Sequence, residues 1–435
     1  LEIENSYCYP ENPEAGIDLF LEKLVQETEK EHEDILEQAD ETDAMFGELY
    51  SWYLRNPEYR SRVQKLVQSA FAGKPEDIIS QSVAKALYGE VSPYSATRLE
   101  RFAACAFAHF LQYGMKLTER VEYEFKPMDM GNVMHGALES FAEEVRKRGM
   151  KWTELTEQER NEIADRCLDN IVADYGNTVL KSSARNEYMI ERTRRILRRT
   201  VWALQKQLEQ GEFQPEGFEV TFGGGRIDRV DIMEDQNKVY VKVIDYKTGN
   251  TSFDLVYLYH GLQLQLMIYL DGALRVEQKK YPDKEIIPAG VFYYNIKDPM
   301  IQEKIDADVE AVSAGLMKEL KMNGLVQADP ELVYRMDSSL GSIPVAFNKD
   351  GSFRKNSSVA DRTQFAVLGR YVRTKIEKIR SSILEGDAEV SPYELGKKNA
   401  CTYCPYMTVC GFDRRLSGYE FRRLKNFSDE ELWKA

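Results

Sequence analysis

Gly223-Gly224-Gly225-Arg226-Ile227-Asp228-Arg229-Val230-Asp231, a polar turn at Glu234-Asp235-Gln236-Asn237, then Val239-Tyr240-Val241-Lys242-Val243-Ile244-Asp245-Tyr246-Lys247-Thr248-Gly249: this stretch decides the fold. Its second half alternates apolar and polar residues and is rich in β-branched and aromatic side chains, so the two halves read as neighbouring strands of a hairpin. Strand side chains repeat with period two, which puts Lys247 on the face of Asp245, and the hairpin brings Asp228 beside Asp245. Two carboxylates and an ammonium then converge. A carboxylate pair suits a hard divalent cation such as Mg2+, which lowers the pKa of a bound water so that it can attack phosphorus. Lys247 can hold that water or the developing negative charge. Taken alone, the same residues also fit a charged, exposed hairpin face.

The chain has 435 residues, enough for two or three domains with a real core. It is 43% hydrophobic and 30% charged, no apolar run reaches membrane-spanning length, and its start is acidic. The expectation is a cytoplasmic protein without a membrane partner. Leu1 in place of Met, followed at once by polar sequence, reads as a segment of a larger protein. A net charge of −14 argues against coating nucleic acid non-specifically but leaves room for a narrow basic channel. Arg192, Arg194, Arg195, Arg198 and Arg199, on a helical stretch from Glu187 to Gln210, are the local candidates; a solvated helix face is the alternative.

Residues 11 to 74 are helical in pattern, with Phe20, Leu24, Leu36 and Phe46 at helix-like intervals and Cys8 in an irregular start. After a loop at 91–94, Ser95 is an expected N-cap for a helix carrying Phe102, Cys105 and Phe107. A strand is expected from Arg120 to Phe125. A helix then opens near Gly131, with His135 and Glu139 on one face. Residues 153 to 210 are mostly helical, with Cys167 in the core. A strand at Phe218–Phe222 carries Glu219, either a further acidic ligand or an outward-facing residue. Tyr259 to Leu270 reads as one amphipathic helix on which Gln265 and Tyr269 share a face. A buried strand at 286–294, a hairpin between Ile343 and Asn356 turning at Asp350-Gly351, with Arg354 and Lys355 available to nucleic acid, and a helix from Asp361 to Glu385 follow.

The Asp…Asp-x-Lys hairpin resembles the core of the PD-(D/E)xK nucleases, and the wording Gly-Arg-Ile-Asp…Asp-Tyr-Lys-Thr-Gly resembles their RecB-type branch. That resemblance implies an α/β, restriction-endonuclease-like fold, a central mixed sheet flanked by helices. Gly131-x-x-x-His135-x-x-Leu138-Glu139 is similar to the first motif of the branch and implies that His135 is a metal ligand or catalytic-site group, with Glu139 carried over more weakly. The Gln265-x-x-x-Tyr269 spacing is similar to the motif that touches the DNA backbone and braces the catalytic lysine. The resemblance thus assigns Asp228, Asp245 and His135 to the metal, Lys247 to the water, and Gln265 and Tyr269 to positioning.

Cys401, Cys404 and Cys410, in Cys-x-x-Cys-x(5)-Cys spacing, read as a metal site rather than a disulfide framework in so large and acidic a chain. Soft thiolates suit zinc or iron and sulfur. Zinc ribbons bring two close pairs, and no second Cys-x-x-Cys exists here. One distant cysteine before the hairpin, Cys105, and three after it resemble the iron–sulfur nucleases, which implies a 4Fe-4S cluster on Cys105, Cys401, Cys404 and Cys410 that staples the ends of the domain. Closing so long a loop removes unfolded-state entropy on the order of several kcal/mol.

From residue 88 to 425 the motifs, in this order, are similar to the AddB family of bacterial helicase–nuclease subunits. Ala106 departs from it, since these proteins usually place proline after the cysteine, and no helicase-like portion is recognisable upstream. The expected organisation is a helical segment at 1–87, read as the end of such a portion, a nuclease domain at 88–425 and a tail at 426–435. The implied function is Mg2+-dependent exonuclease action on DNA, trimming the 5′-ended strand after an AddA-type helicase partner has unwound a double-strand break for recombinational repair. A free-standing RecB-like exonuclease and a non-catalytic DNA-binding or scaffold module are the alternatives. A scaffold has no need to hold two carboxylates together against their repulsion.

Overall fold

The computed structural model describes residues 41–70, 78–89, 95–118, 127–174, 183–223, 225–301, 308–416 and 418–434. Cys8, Phe20, Leu24, Leu36 and the strand expected at 120–125 lie outside them. The chain divides into two compact units, residues 1–77 with 409–421, and residues 78–408 with 422–435. In the first, α1 (Glu41–Arg55) and α2 (Pro57–Ala70) pack as a helical hairpin around Tyr53 and Val63, with the rings of Trp52 and Tyr59 stacked 6.3 Å apart.

The larger unit is built on one six-stranded sheet. Its longer helices before the sheet are α3 (Gln81–Tyr88), α4 (Ala96–Ala104), α5 (Pro127–Lys147), α6 (Glu157–Asp174) and α7 (Ala184–Glu209). Three strands follow as a meander, β1 (Gln214–Phe222), β2 (Gly225–Asp235) and β3 (Lys238–Lys247), then α8 (Leu255–His260), α9 (Gln265–Lys280) and β4 (Glu285–Asn295). After these come α10 (Val309–Glu319), β5 (Asn323–Gln327), α11 (Pro330–Met336), β6 (Val359–Ala360) and α12 (Arg362–Glu385). The strands lie in the order β1-β2-β3-β4-β5-β6. Pairing is parallel for β3–β4 and β5–β6 and antiparallel elsewhere, so the sheet is mixed. The crossover from β3 to the parallel β4 runs through α8 and α9, as parallel neighbours require.

Period-two alternation along β3 divides the core. Tyr240, Ile244 and Tyr246 face the side packed by α5, α6 and α7, with Phe141, Leu168 and Leu197 among their neighbours. Val239, Val241 and Val243 face the other side, packed by α4, α9 and α12 through Leu99, Leu270 and Leu368. Both faces are covered, which is why β3 and β4 are buried at nearly every position.

Ser95 caps its helix, accepting the Arg98 N–H at 3.4 Å. The stretch 259–270 is two helices instead of one. α8 closes at Gly261, whose φ of 80° is left-handed, and α9 begins anew at Gln265. A side chain at Gly261 would meet the Ala103 Cβ at 3.3 Å, so the break lets the chain turn tightly against α4. The hairpin near 350 is a short one, with a bridge between Phe347 and Phe353 and Gly351 at φ 83°.

Candidate active site

The site forms where the β2–β3 ladder opens. The last rung joins Arg229 to Ile244. Beyond it the Tyr246 N–H donates to Asp228 Oδ2 at 2.7 Å, so a carboxylate takes the place of a backbone acceptor and is fixed by the strand itself. On the other flank of β2, rungs at Phe218–Arg229 and Val220–Ile227 bracket Glu219. Glu219 has a left-handed φ of 50°, a conformation a non-glycine residue adopts at a cost. Its side chain is 7% exposed and ion-paired to Arg226, turned inward. From α5, His135 places Nδ1 at 3.4 Å from Asp228 Oδ2 and 3.9 Å from Glu219 Oε1. His135, Glu219 and Asp228 offer ligand atoms that all lie within 4.8 Å of one another. An imidazole with two carboxylate oxygens is a donor set that a hard or borderline divalent cation accepts.

A second line of groups runs from β3 to α9. Asp245, 1% exposed, faces the Lys247 ammonium at 2.7 Å. Lys247 donates to Gln265 Oε1 at 2.7 Å, and Gln265 Nε2 donates to the Tyr269 hydroxyl at 2.9 Å. Lys247 also lies 5.4 Å over the Tyr293 ring. Gln265 occupies the first turn of α9, where helical N–H groups lack intrahelical acceptors. The Glu100 carboxylate supplies one, accepting the N–H of Leu264 at 2.6 Å and of Gln265 at 2.9 Å.

Electrostatics follow from this crowding. Burial and the Asp228 charge push the Asp245 carboxyl up to about 7, against the pull of Lys247. Burial and Asp228 likewise push Glu219 up to about 7. Burial opposes the charged form of His135, yet its hydrogen bond to Asp228 and the surrounding carboxylates raise it above its usual value. Burial also pushes Glu100 up to about 7, offset in part by the two N–H groups it accepts. Carboxylates held together at such cost bind protons when nothing else neutralises them, and a divalent cation is the alternative neutraliser.

Of the residues singled out from sequence, His135, Asp228, Asp245, Lys247, Gln265 and Tyr269 share this one region. Asp245 is not part of the tight His135–Glu219–Asp228 set; its carboxylate addresses Lys247. Glu139, one turn from His135, acts on the set through its charge on Glu219. Three of the five arginines on α7 are ion-paired: Arg194 with Asp165, Asp169 and Glu191, Arg198 with Asp165, and Arg195 with Asp298, while Arg199 lies 5.4 Å over the Trp202 ring. That face is a solvated ion-pair network. Arg354 donates to the Phe347 carbonyl, and Lys355 lies 3.8 Å from Glu430.

Cys105 and Cys404 meet in one apolar cluster with Leu111 and Tyr406, and burial pushes the Cys105 thiol up, with Cys404 adding to it. Cys105, Cys401 and Cys404 form no disulfide and are not drawn within 4.8 Å of one another as a set. Cys410 belongs to the other compact unit, where its sulfur accepts the Phe412 N–H at 3.5 Å.

Three features escaped the sequence. The inward turn of Glu219 depends on a backbone conformation that alternation does not encode. Glu100 gives one signal, an acid between Leu99 and Phe102 on a helix whose other inward residues are apolar. Beneath the site, Arg229, Asp231 and Lys242 form a buried ion cluster, with Arg229 Nε to Asp231 at 2.5 Å and Lys242 to Asp231 at 2.9 Å. The Arg229 guanidinium packs over Trp152 and Phe218. Charged residues inside an otherwise apolar strand pair were its trace.

A profile of the PD-(D/E)XK nuclease superfamily matches residues 93–411. The B-type subunit of the ATP-dependent helicase/deoxyribonuclease of Lachnoclostridium phytofermentans is 41% identical over 417 residues, 90% of this chain and 36% of that protein. Proteins of the same name from Thermoanaerobacter sp. and Clostridium acetobutylicum are 34% and 33% identical, each over 91% of this chain and 36% of their own length. The chain therefore spans 36% of the length of these curated relatives. Profile match, mixed sheet and the acid–lysine constellation on its central hairpin agree: the chain belongs to the PD-(D/E)XK nuclease superfamily.

Proposed function

We propose that this chain is the nuclease portion of a bacterial, cytoplasmic helicase–nuclease subunit of the AddB type, hydrolysing DNA phosphodiester bonds with Mg2+. The observation that carries the reading is the convergence of His135, Glu219 and Asp228 beside Asp245 and the Lys247 ammonium. The relatives are named as one subunit of a helicase/deoxyribonuclease, which supports DNA as substrate and a second subunit as partner. An exonuclease trimming the 5′-ended strand behind an AddA-type helicase is the form of that activity that the resemblance to the AddB family implies. Residues 88–425 are the proposed nuclease domain, 1–87 the end of an upstream portion and 426–435 a tail.

In this reading His135, Glu219 and Asp228 hold the cation, with Asp245 adjoining. When bound, the cation supplies Lewis-acid stabilisation of charge on the phosphate. The protein's own groups do the rest. Lys247, held between Asp245 and Gln265, presents an N–H to the attacking water or to the phosphate oxygen, where charge develops. Its ammonium is fixed before substrate arrives, so little reorganisation is left for the transition state. A cleft lined by Phe222, Met267, Asp271, Arg275, Lys279 and Arg373 sets cations over an apolar floor, with Arg275 and Arg373 both ion-paired to Asp271, and is a candidate path for a single strand. Cys105, Cys401, Cys404 and Cys410 are the proposed ligands of a 4Fe-4S cluster with a structural role; the shared apolar cluster of Cys105 and Cys404 supports it.

The deciding experiment is cleavage of single-stranded DNA with added Mg2+ by anaerobically purified protein, beside Lys247→Ala. The parent cuts, and the variant loses at least about a hundredfold in kcat, the scale of one preorganised charge-stabilising donor. If both fail while iron and sulfide are retained, the DNA-binding scaffold reading takes its place.

A further inference from the structure

The lysine at the open end of the hairpin is fixed through a residue with which it makes no hydrogen bond or ion pair. Lys247 donates to Gln265, and Gln265 stands in the first turn of α9. Leu264 and Tyr281 flank this helix, and the Leu264 side chain makes no capping hydrogen bond. The acceptor comes instead from α4, about 160 residues upstream in the chain. Glu100 Oε1 takes both the Leu264 and the Gln265 N–H groups, at 2.6 and 2.9 Å.

We propose that Glu100 is a positioning residue for the lysine: its carboxylate clamps the first turn of α9 so that the Gln265 amide holds the Lys247 ammonium against Asp245. The inference rests on the nuclease reading for its kinetic consequence and on geometry alone for its structural one. Once ionised, a carboxylate on two N–H groups at a helix N-terminus is doubly favourable, through charge-assisted hydrogen bonds and through the helix dipole, so the clamp is measured above neutrality. Rotating or sliding that turn carries the Gln265 side chain with it. A sub-ångström loss of register at a group that touches substrate costs rate while leaving binding intact. Glu100 also belongs to the helix that ends at Cys105, whose backbone N–H closes on the Arg101 carbonyl. The clamp therefore links the cysteine-bearing segment to the lysine through one rigid turn of α4.

The test is a double-mutant cycle on the whole chain. Glu100→Gln keeps the shape and one acceptor oxygen but removes the negative charge that strengthens both bonds to α9. Expected is a loss of about tenfold or more in kcat on single-stranded DNA, with KM for DNA and the Mg2+ dependence unchanged. In a Gln265→Ala background the same substitution has little further effect, because the route through Gln265 is already cut. Losses that add in the double variant, or an unchanged kcat, overturn the proposal. If the parent does not cut DNA, the nuclease reading fails separately, and amide hydrogen exchange decides the clamp. Faster exchange confined to Leu264 and Gln265, with Leu270 and Ala273 unaltered, supports it; unaltered exchange at 264 and 265 overturns it. Should Glu100→Gln fail to fold, Glu100→Asp, which withdraws the carboxylate by one methylene, is measured in the same two ways with the same criteria.

Discussion

At the residue scale, the proposed cation would compete with protons for the carboxylates crowded at the site. Glu219 and Asp245, each pushed up to about 7, are substantially protonated below neutrality when no cation is bound. Cation binding must displace those protons, so affinity rises with pH until both are ionised. Calorimetric titration with Mg2+ should find binding weaker by about tenfold per pH unit below 7 for each proton displaced. The stability sign is consistent. A carboxyl whose pKa is higher folded than unfolded keeps more protons in the native state, so these two groups subtract stability as pH rises from about 4.5 toward 7. Added Mg2+ should therefore raise the melting temperature more at pH 8 than at pH 6. Beneath them Asp231 behaves oppositely. It is fully buried, and although burial alone would raise its pKa, Arg229 and Lys242 hold it below the usual carboxylate range. Asp231→Asn leaves two buried cations without their counter-charge. A loss of about 3–5 kcal/mol in denaturant unfolding is expected, the cost of breaking a buried ion cluster.

At the element scale, the functional side chains of the sheet and the start of α9 come from ends and irregularities. Asp228 and Lys247 lie where the β2–β3 ladder stops, Glu219 sits at a left-handed residue in β1, and Gln265 opens α9. Paired strand interiors and mid-helix turns commit their backbone to neighbours. Places where the pattern breaks leave polar groups free to converge. The C-terminus of α12 shows how such an irregularity is held. Gly386 has φ 92°, and a Cβ there would lie 1.9 Å from the Ile79 carbonyl oxygen, while its own carbonyl accepts the Ile79 N–H at 2.9 Å. Gly386→Ala combines backbone strain with a clash against backbone. It should cost about 1–3 kcal/mol in stability while leaving Mg2+ affinity unchanged, since neither atom set touches the cation ligands. Thermal melting beside calorimetry separates the two.

At the scale of the whole molecule, the chain's late segments return to its early helices. Arg422 hydrogen-bonds the Ala103 carbonyl, the Tyr406 hydroxyl donates to the Leu117 carbonyl at 3.0 Å, and the His260 ring pairs with the Lys425 carbonyl at 2.9 Å. The first two contacts join segments about three hundred residues apart, beside Cys105 and Cys404, and a cross-link over so long a loop removes more unfolded-state entropy than a short one. Cys404→Ser should therefore remove the visible absorbance of an iron–sulfur cluster and lower stability by several kcal/mol, on the order expected for a long-loop staple. An anaerobic preparation with no iron, or a serine variant as stable as the parent, would contradict the cluster.

Much of this was legible from residue order alone. The hairpin was, because period-two alternation and a polar turn act within a few residues. So were the Ser95 cap and the helix after Asp361, whose capping box joins Asp361 and Gln364 across a single turn. The set of His135, Asp228, Asp245, Lys247, Gln265 and Tyr269 was nameable as spaced motifs. The tertiary structure alone decided the break at Gly261, because it answers to the nearness of Ala103, a residue far away in sequence. It alone paired Arg194, Arg195 and Arg198 of α7 with acids from α6 and with Asp298. It also turned Glu219 inward and brought Glu100 to α9. Sequence pattern reports forces that act along the chain, whereas the choice of which charge meets which is made across space, once the sheet has brought distant segments within hydrogen-bonding reach.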